Sequence, residues 1–361
     1  MTLLLASSRR CRVSASLAAM RRPLALFLFL AAACLAPSMA CAHGGSTGGT
    51  DYQSTVVSAP HGLTARMVGG DDRIQVARTT PATIIVLGYG GEPYLRLDTG
   101  GTWENARSPA IVLNDVRHTA TVSTEAKTTT PQWVQTGTGT TVVFHDHRAH
   151  WMASQPPAVV RADPSRSRTL YNWSIPVTVA GRPAMITGNV AWVGAPRAWL
   201  WWLIALGVVV GAFAAAWRLR LAPLPVAAVA TTLTILAATA TGISQQLDLP
   251  DSTNGVLLAA VIALVLLGAG LVGAFLTRRT PAHAVTILVL AGLIAGGIPL
   301  VGVAGAAFSY GLVPGPLPTL VTRLLVIAGL AALSLTIGIA AYQWRSLLSV
   351  NARHTDPQGG W

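Results

Sequence analysis

Five long apolar stretches constrain this chain more than any other feature: Ala198–Trp217, Leu224–Ile243, Gly255–Leu276, Ala284–Val303 and Leu320–Ala341. Each has the roughly 20 residues needed to cross the ~30 Å hydrocarbon core as a helix. Only closed hydrogen-bonding structures are tolerated there, so five transmembrane helices are predicted. Arginines set their expected direction. Arg218 and Arg220 follow the first stretch, Arg278 and Arg279 the third, and Arg345 and Arg353 the fifth. The alternate loops, Ser244–Asn254 and Ser309–Thr319, carry no Lys or Arg. By the positive-inside rule, residues 43–197 are expected outside and the tail, 345–361, in the cytoplasm. Arg197 and Arg323 fall at outer ends, where snorkelling to headgroups is expected, and Trp199, Trp201, Trp202, Trp217 and Trp344 suit the interfacial belts. A plasma-membrane, multi-pass protein spanning the bilayer over 198–344 is the resulting expectation.

Composition agrees. Of 361 residues, 52% are hydrophobic and 11% are charged, against about a quarter charged in soluble globular chains. The net charge of +12 is almost wholly arginine, and no segment interleaves basic residues with aromatics as a nucleic-acid surface would. The spans hold no His, Asp, Glu, Lys or Met. The usual marks of a proton relay or soft-metal path are therefore missing from them. The run Gly292, Gly296, Gly297, Pro299 and Gly302 has two readings, close helix packing or a broken helix at a transport site.

Residues 1–42 read as a signal peptide, with Arg21-Arg22, the apolar Leu24–Leu35 and a small-residue site at Ala40-Cys41-Ala42. Met20 is an alternative start, and lipidation at Cys41 is an alternative to cleavage before His43. All three cysteines lie in this leader, so the mature chain is expected to hold no disulfide.

Residues 43–197 alternate short runs rich in Val, Ile, Thr and aromatics with Gly, Pro and Asp. The predicted strands are Leu63–Val68, Arg73–Arg78, Thr83–Tyr89, Tyr94–Asp98, Gln132–Gln135, Thr140–Asp146, Thr169–Val179 and Ala184–Val193. Hairpin turns are expected at Gly69–Asp72 and Ala180-Gly181, and a long loop over His118–Pro131. The fold class predicted is an all-β antiparallel sandwich followed by an α-helical membrane domain.

Three segments carry unusual chemistry. In His145-Asp146-His147-Arg148-Ala149-His150-Trp151-Met152, an extended strand would put His145 and His147 on one face. A turn through Arg148-Ala149 would add His150, with Met152 as a further candidate. Three imidazoles suit copper or zinc, with Asp146 or Glu92 as the acceptor behind a ligand. The alternative is a strand end whose polar groups satisfy the backbone while Trp151 caps the core. At the expected mature terminus, His43-Gly44-Gly45, an α-amine and an imidazole can chelate Cu(II), with another His completing a tetragonal site. The alternative there is a disordered terminus. Finally, Leu87–Arg96 and Trp103–Pro109 offer Glu92, Glu104, Arg96 and Arg107, which can pin strands by ion pairs or form a carboxylate acid/base pair. No nucleophile elbow or phosphate loop accompanies them, so no enzyme is expected.

The Gly88-Tyr89 to Arg96 run and the His145–Met152 run, with the order signal, β-domain and spans, resemble a family of exported, multi-spanning bacterial membrane proteins. The resemblance covers most of the chain and implies no mechanism. His43 after the leader and the sandwich are similar, more weakly, to CopC-type periplasmic copper-resistance proteins, which implies a copper ligand at His43. A CopD-type membrane partner would carry metal ligands in its spans, where this chain has none. The functional expectation is an extracytoplasmic, membrane-anchored module binding copper or zinc for buffering, sensing or hand-off. The alternative is an envelope assembly protein whose β-domain binds protein or glycan without metal.

Overall fold

Among the described residues of the computed structural model, ten strands lie between Tyr52 and Trp192, and five apolar helices follow. The structure describes residues 48–115, 130–249 and 253–354. The leader, His43 and most of the expected loop at His118–Pro131 lie outside these residues.

The strands are β1 (Tyr52–Ser58), β2 (Leu63–Val68), β3 (Arg73–Arg78), β4 (Ile84–Leu87), β5 (Pro93–Asp98), β6 (Gly101–Asn105), β7 (Trp133–Gly137), β8 (Thr141–Phe144), β9 (Arg168–Val179) and β10 (Arg182–Trp192). Two short helices interrupt them, α1 (Pro109–Asp115) and α2 (Ala158–Ala162). All strand pairs among the described residues are antiparallel. One sheet runs β1-β10-β9-β4-β5-β6-β7 and the other β2-β3-β8.

Alternation explains the sandwich. In β3 Ile74 and Val76 are fully buried, in β4 Ile84 and Val86, and in β9 Ile175 and Val177, each pair separated by a less buried residue. A period of two aims these side chains at one face, and the inner faces of both sheets share one core with Leu97, Phe144, Trp173 and Ile186. The predicted turns form as expected. Gly69 and Gly70 take positive φ between β2 and β3, and Ala180 (φ +50°) with Gly181 (φ +76°) closes the β9–β10 hairpin in primed-turn geometry.

Strands β1 and β6 are not among those predicted from the sequence. Their segments, Tyr-Gln-Ser-Thr-Val-Val-Ser and Gly-Thr-Trp-Glu-Asn, carry little alternation of their own. A distant partner holds β1, Tyr52 pairing with Trp192, whereas β6 folds straight back on β5, Trp103 pairing with Arg96.

The helices are α3 (Ala198–Arg218), α4 (Pro223–Asp248), α5 (Thr253–Leu276), α6 (Pro281–Gly292), α7 (Ile298–Ser309) and α8 (Thr319–His354). A π-helical turn, Leu293–Gly297, joins α6 and α7 into one span. The glycine run therefore widens the helix without unwinding it. A Cβ on Gly296 would lie 2.7 Å from Thr234 Cγ2, and one on Gly297 2.8 Å from Leu333 Cδ2. Small residues here admit α4 and α8 to close contact, which is the packing reading. Thr231 Oγ1 donates to Leu288 O (3.2 Å) and Thr234 Oγ1 to Gly329 O (3.2 Å), bonding α4 to α6 and α8.

The Arg323 Nε donates to Ala307 O (2.7 Å) and its Nη2 to Tyr310 O (2.8 Å), over the Trp201 ring. It caps the carbonyls that end α7, a use of cationic side chains at helix C-termini.

The sheets contact one end of the bundle. Thr50 and Leu312 exchange two backbone hydrogen bonds of 2.9 Å, and Asp51 Oδ1 accepts from Gly311 N (2.7 Å). Asp248, in the last turn of α4, accepts from Gly69 N (2.6 Å) and pairs with Arg66 (3.5 Å). The arginine-bearing turns after α3 and α5 lie at the opposite ends of these helices.

Candidate metal site at the end of strand β8

Strand β8 stops at Phe144, so His145 and His147 do not share a strand face as expected. They converge by another route. Asp146 Oδ1 accepts from the Arg148 amide (3.0 Å) and Nε (2.9 Å), and its Oδ2 from Arg148 Nη2 (2.7 Å). The Ala149 amide donates to Asp146 O (2.9 Å). An Asp bonding its own backbone two residues on is a local turn-former, and this turn swings His150 back to His145. One nitrogen from each of His145, His147 and His150 lies within 4.8 Å of the others. A shared ion with ~2.0–2.1 Å metal–nitrogen bonds needs separations of at most ~4.2 Å, which modest ring rotation supplies.

The hydrogen bonds assign the tautomers. His145 Nδ1 bonds the carbonyl oxygen of Asp72, and His150 Nδ1 that of Trp151 (3.1 Å). A carbonyl only accepts, so both Nδ1 atoms carry hydrogen and both Nε2 atoms present a lone pair in neutral imidazole. Those two Nε2 atoms lie 2.8 Å apart. Two lone pairs at that distance repel unless a proton or a metal ion sits between them. His150 is 1% exposed, whereas His145 and His147 are half-buried, leaving an approach from solvent.

Surrounding groups hold the turn. Arg148 Nη2 also donates to Leu87 O (3.0 Å), and its guanidinium lies over the Tyr89 ring. Burial would lower the Arg148 pKa, but the bond to Asp146 and the charges of Asp146 and Glu92 outweigh it, so the guanidinium is held more firmly charged. The Tyr89 hydroxyl accepts from the His147 amide (2.9 Å) and donates to Asn114 Oδ1 (2.5 Å). Burial and the Asp146 charge push the Tyr89 phenol far up, keeping it a donor. Burial and the Asp71 charge do the same for Tyr171, whose hydroxyl donates to His150 O (2.5 Å).

Two expectations change here. Asp146 is engaged by Arg148, and Glu92 accepts from Ser108 Oγ (2.9 Å) and Gly90 N (2.9 Å). Backbone carbonyls take the Nδ1–H groups of His145 and His150 instead. Arg96 pairs with Asp98 (3.0 Å) and, among the described residues, with no glutamate, and lies 4.6 and 4.9 Å from the ring centres of Trp103 and Trp133. Trp151 stacks on Tyr52 at 6.1 Å. Asp72, Tyr89 and Tyr171 were not legible as site residues, although Tyr89 belongs to the glycine-rich run singled out above. Comparison with known proteins finds no family model, no curated protein and no solved structure that matches this chain.

Proposed function

We propose that the chain is a membrane-anchored extracytoplasmic protein that binds copper(II) or zinc at His145, His147 and His150, for buffering, sensing or hand-off and without a catalytic step. The carrying observation is the pair of Nε2 atoms at 2.8 Å, both Nδ1 atoms being committed to carbonyls. A ligating His whose other ring nitrogen is anchored to a carbonyl is the usual arrangement behind a metal.

His43 is the fourth ligand in this proposal. A free α-amine beside its imidazole would offer Cu(II) two nitrogens.

Metal analysis and calorimetric titration of the full-length chain in detergent test the site. One ion per chain surviving dialysis is expected, with affinity lowered at least ~100-fold in His145→Ala. Acidification should release the ion, because imidazolium cannot ligate. Equal, weak binding by wild type, His145→Ala and His147→Ala would remove the metal and leave an envelope assembly protein. Loss only when one residue is added before His43 would move the site to the terminus.

The orientation proposed puts the sheets outside and the C-terminus in the cytoplasm. It is supported by Arg218, Arg220, Arg278 and Arg279, all in turns away from the sheet-bearing end. A reporter fused after Trp361 should be active only inside the cell; activity only outside would overturn the topology.

A further inference from the structure

The turn joining α3 to α4 closes as a Schellman motif. The Leu221 amide donates to Ala216 O (3.2 Å) and the Arg220 amide to Trp217 O (3.2 Å). Glycine is the usual residue at the left-handed position of this motif. Here that position is Arg220, with φ of +50°. A guanidinium is kept where glycine would sit without strain.

Arg220 lines the mouth of a groove between α3 and α4, with α8 as its floor. Two adjoining cavities of 510 and 430 Å³ form the groove and share Leu221, Val226 and Leu335. Helix α3 rests on α8 through Phe213, for which Gly338 makes room: a Cβ there would lie 2.3 Å from the ring. Ala328 and Tyr342 mark the groove's ends on α8, ~21 Å apart at 1.5 Å of rise per residue. One leaflet of hydrocarbon is ~15 Å thick, half of the ~30 Å core. The groove is apolar along its length and cationic and aromatic at one end, where Arg220, Trp217 and Tyr342 meet.

We propose that this groove binds one anionic phospholipid, an acyl chain lying along Leu335 and Val226 and the phosphate at Arg220. The argument is charge complementarity. Basic pockets between transmembrane helices select anionic headgroups, and a slot of this length fits a chain of one leaflet. A general bias of arginine towards one side of the membrane accounts for Arg218 but gives no reason for a side chain at the glycine position. The proposal is independent of the metal site.

The test is native mass spectrometry of the full-length chain, equilibrated in detergent with equal phosphatidylglycerol and phosphatidylcholine. Wild type and Arg218→Gln should each retain one phosphatidylglycerol with at least tenfold preference. Arg220→Gly, which relaxes the turn and so keeps the fold, should retain both lipids equally, as should Arg220→Gln. Equal retention of the two lipids by wild type would overturn the proposal. So would equal losses in the Arg218 and Arg220 variants, which would mark a general basic belt. A dimer in place of the lipid adduct would give the groove to a second copy and likewise overturn it.

Discussion

Substituting alanine for Gly188 is expected to lower the melting temperature of the full-length protein by about 10 °C. Gly188 lies in β10, paired with Trp173 of β9 and Val56 of β1. A Cβ there would fall 2.2 Å from the Thr55 carbonyl oxygen and 2.2 Å from the Trp173 ring. Neither neighbour can yield easily. Thr55 belongs to the ladder, and Trp173 is buried with its Nε1 donating to Ser54 Oγ (2.9 Å). Overpacking of a core costs about 1–3 kcal/mol and more when backbone must move, so roughly 3 kcal/mol is expected. At about 2–4 °C per kcal/mol for a unit of this size, that gives the stated shift. Gly139→Ala is the control, because its Cβ would meet nothing closer than 4.0 Å. Equal melting of the two variants would refute the packing argument.

Arg148→Ala is expected to cost as much and to abolish metal binding as well. The Asp146 side chain is fully buried, and its ion pair with Arg148 is 2.7 Å long. Removing one partner of a buried pair leaves a charge without compensation and typically costs about 3–5 kcal/mol. The same change releases the contacts to Leu87 O and to the Tyr89 ring, which hold the turn carrying His147. The double variant Asp146→Ala/Arg148→Ala should recover part of the stability, since no buried charge remains, but not the metal affinity. A loss below about 1 kcal/mol for Arg148→Ala, typical of an exposed pair, would show that the turn is held by other means.

Strands with strong local alternation were legible residue for residue. Leu63–Val68 and Arg73–Arg78 form with the predicted bounds, and the glycines between them supply the positive φ of their turn. Tyr52–Ser58 was not legible because its pairing partner lies far along the chain, and Gly101–Asn105 because it carries little alternation of its own. At the His cluster, spacing pointed to the three residues that converge, yet the expected strand face is absent. Asp146 bends the chain after Phe144, and that bend depends on an arginine that also needs Leu87 and Tyr89.

Hydropathy by itself determined the five spans, since a polypeptide in hydrocarbon must close its own hydrogen bonds within each helix and needs no distant residue to do so. Period-two alternation likewise determined that the preceding region is β-structure with one buried face. Tertiary structure alone decided the rest: which strands are neighbours, that Asp72 lends its carbonyl to His145, that Arg323 caps α7, and that α3 stands off α4 beside Arg220. These contacts join residues far apart in the chain, and side-chain periodicity carries no information about which distant backbone group a polar atom will meet.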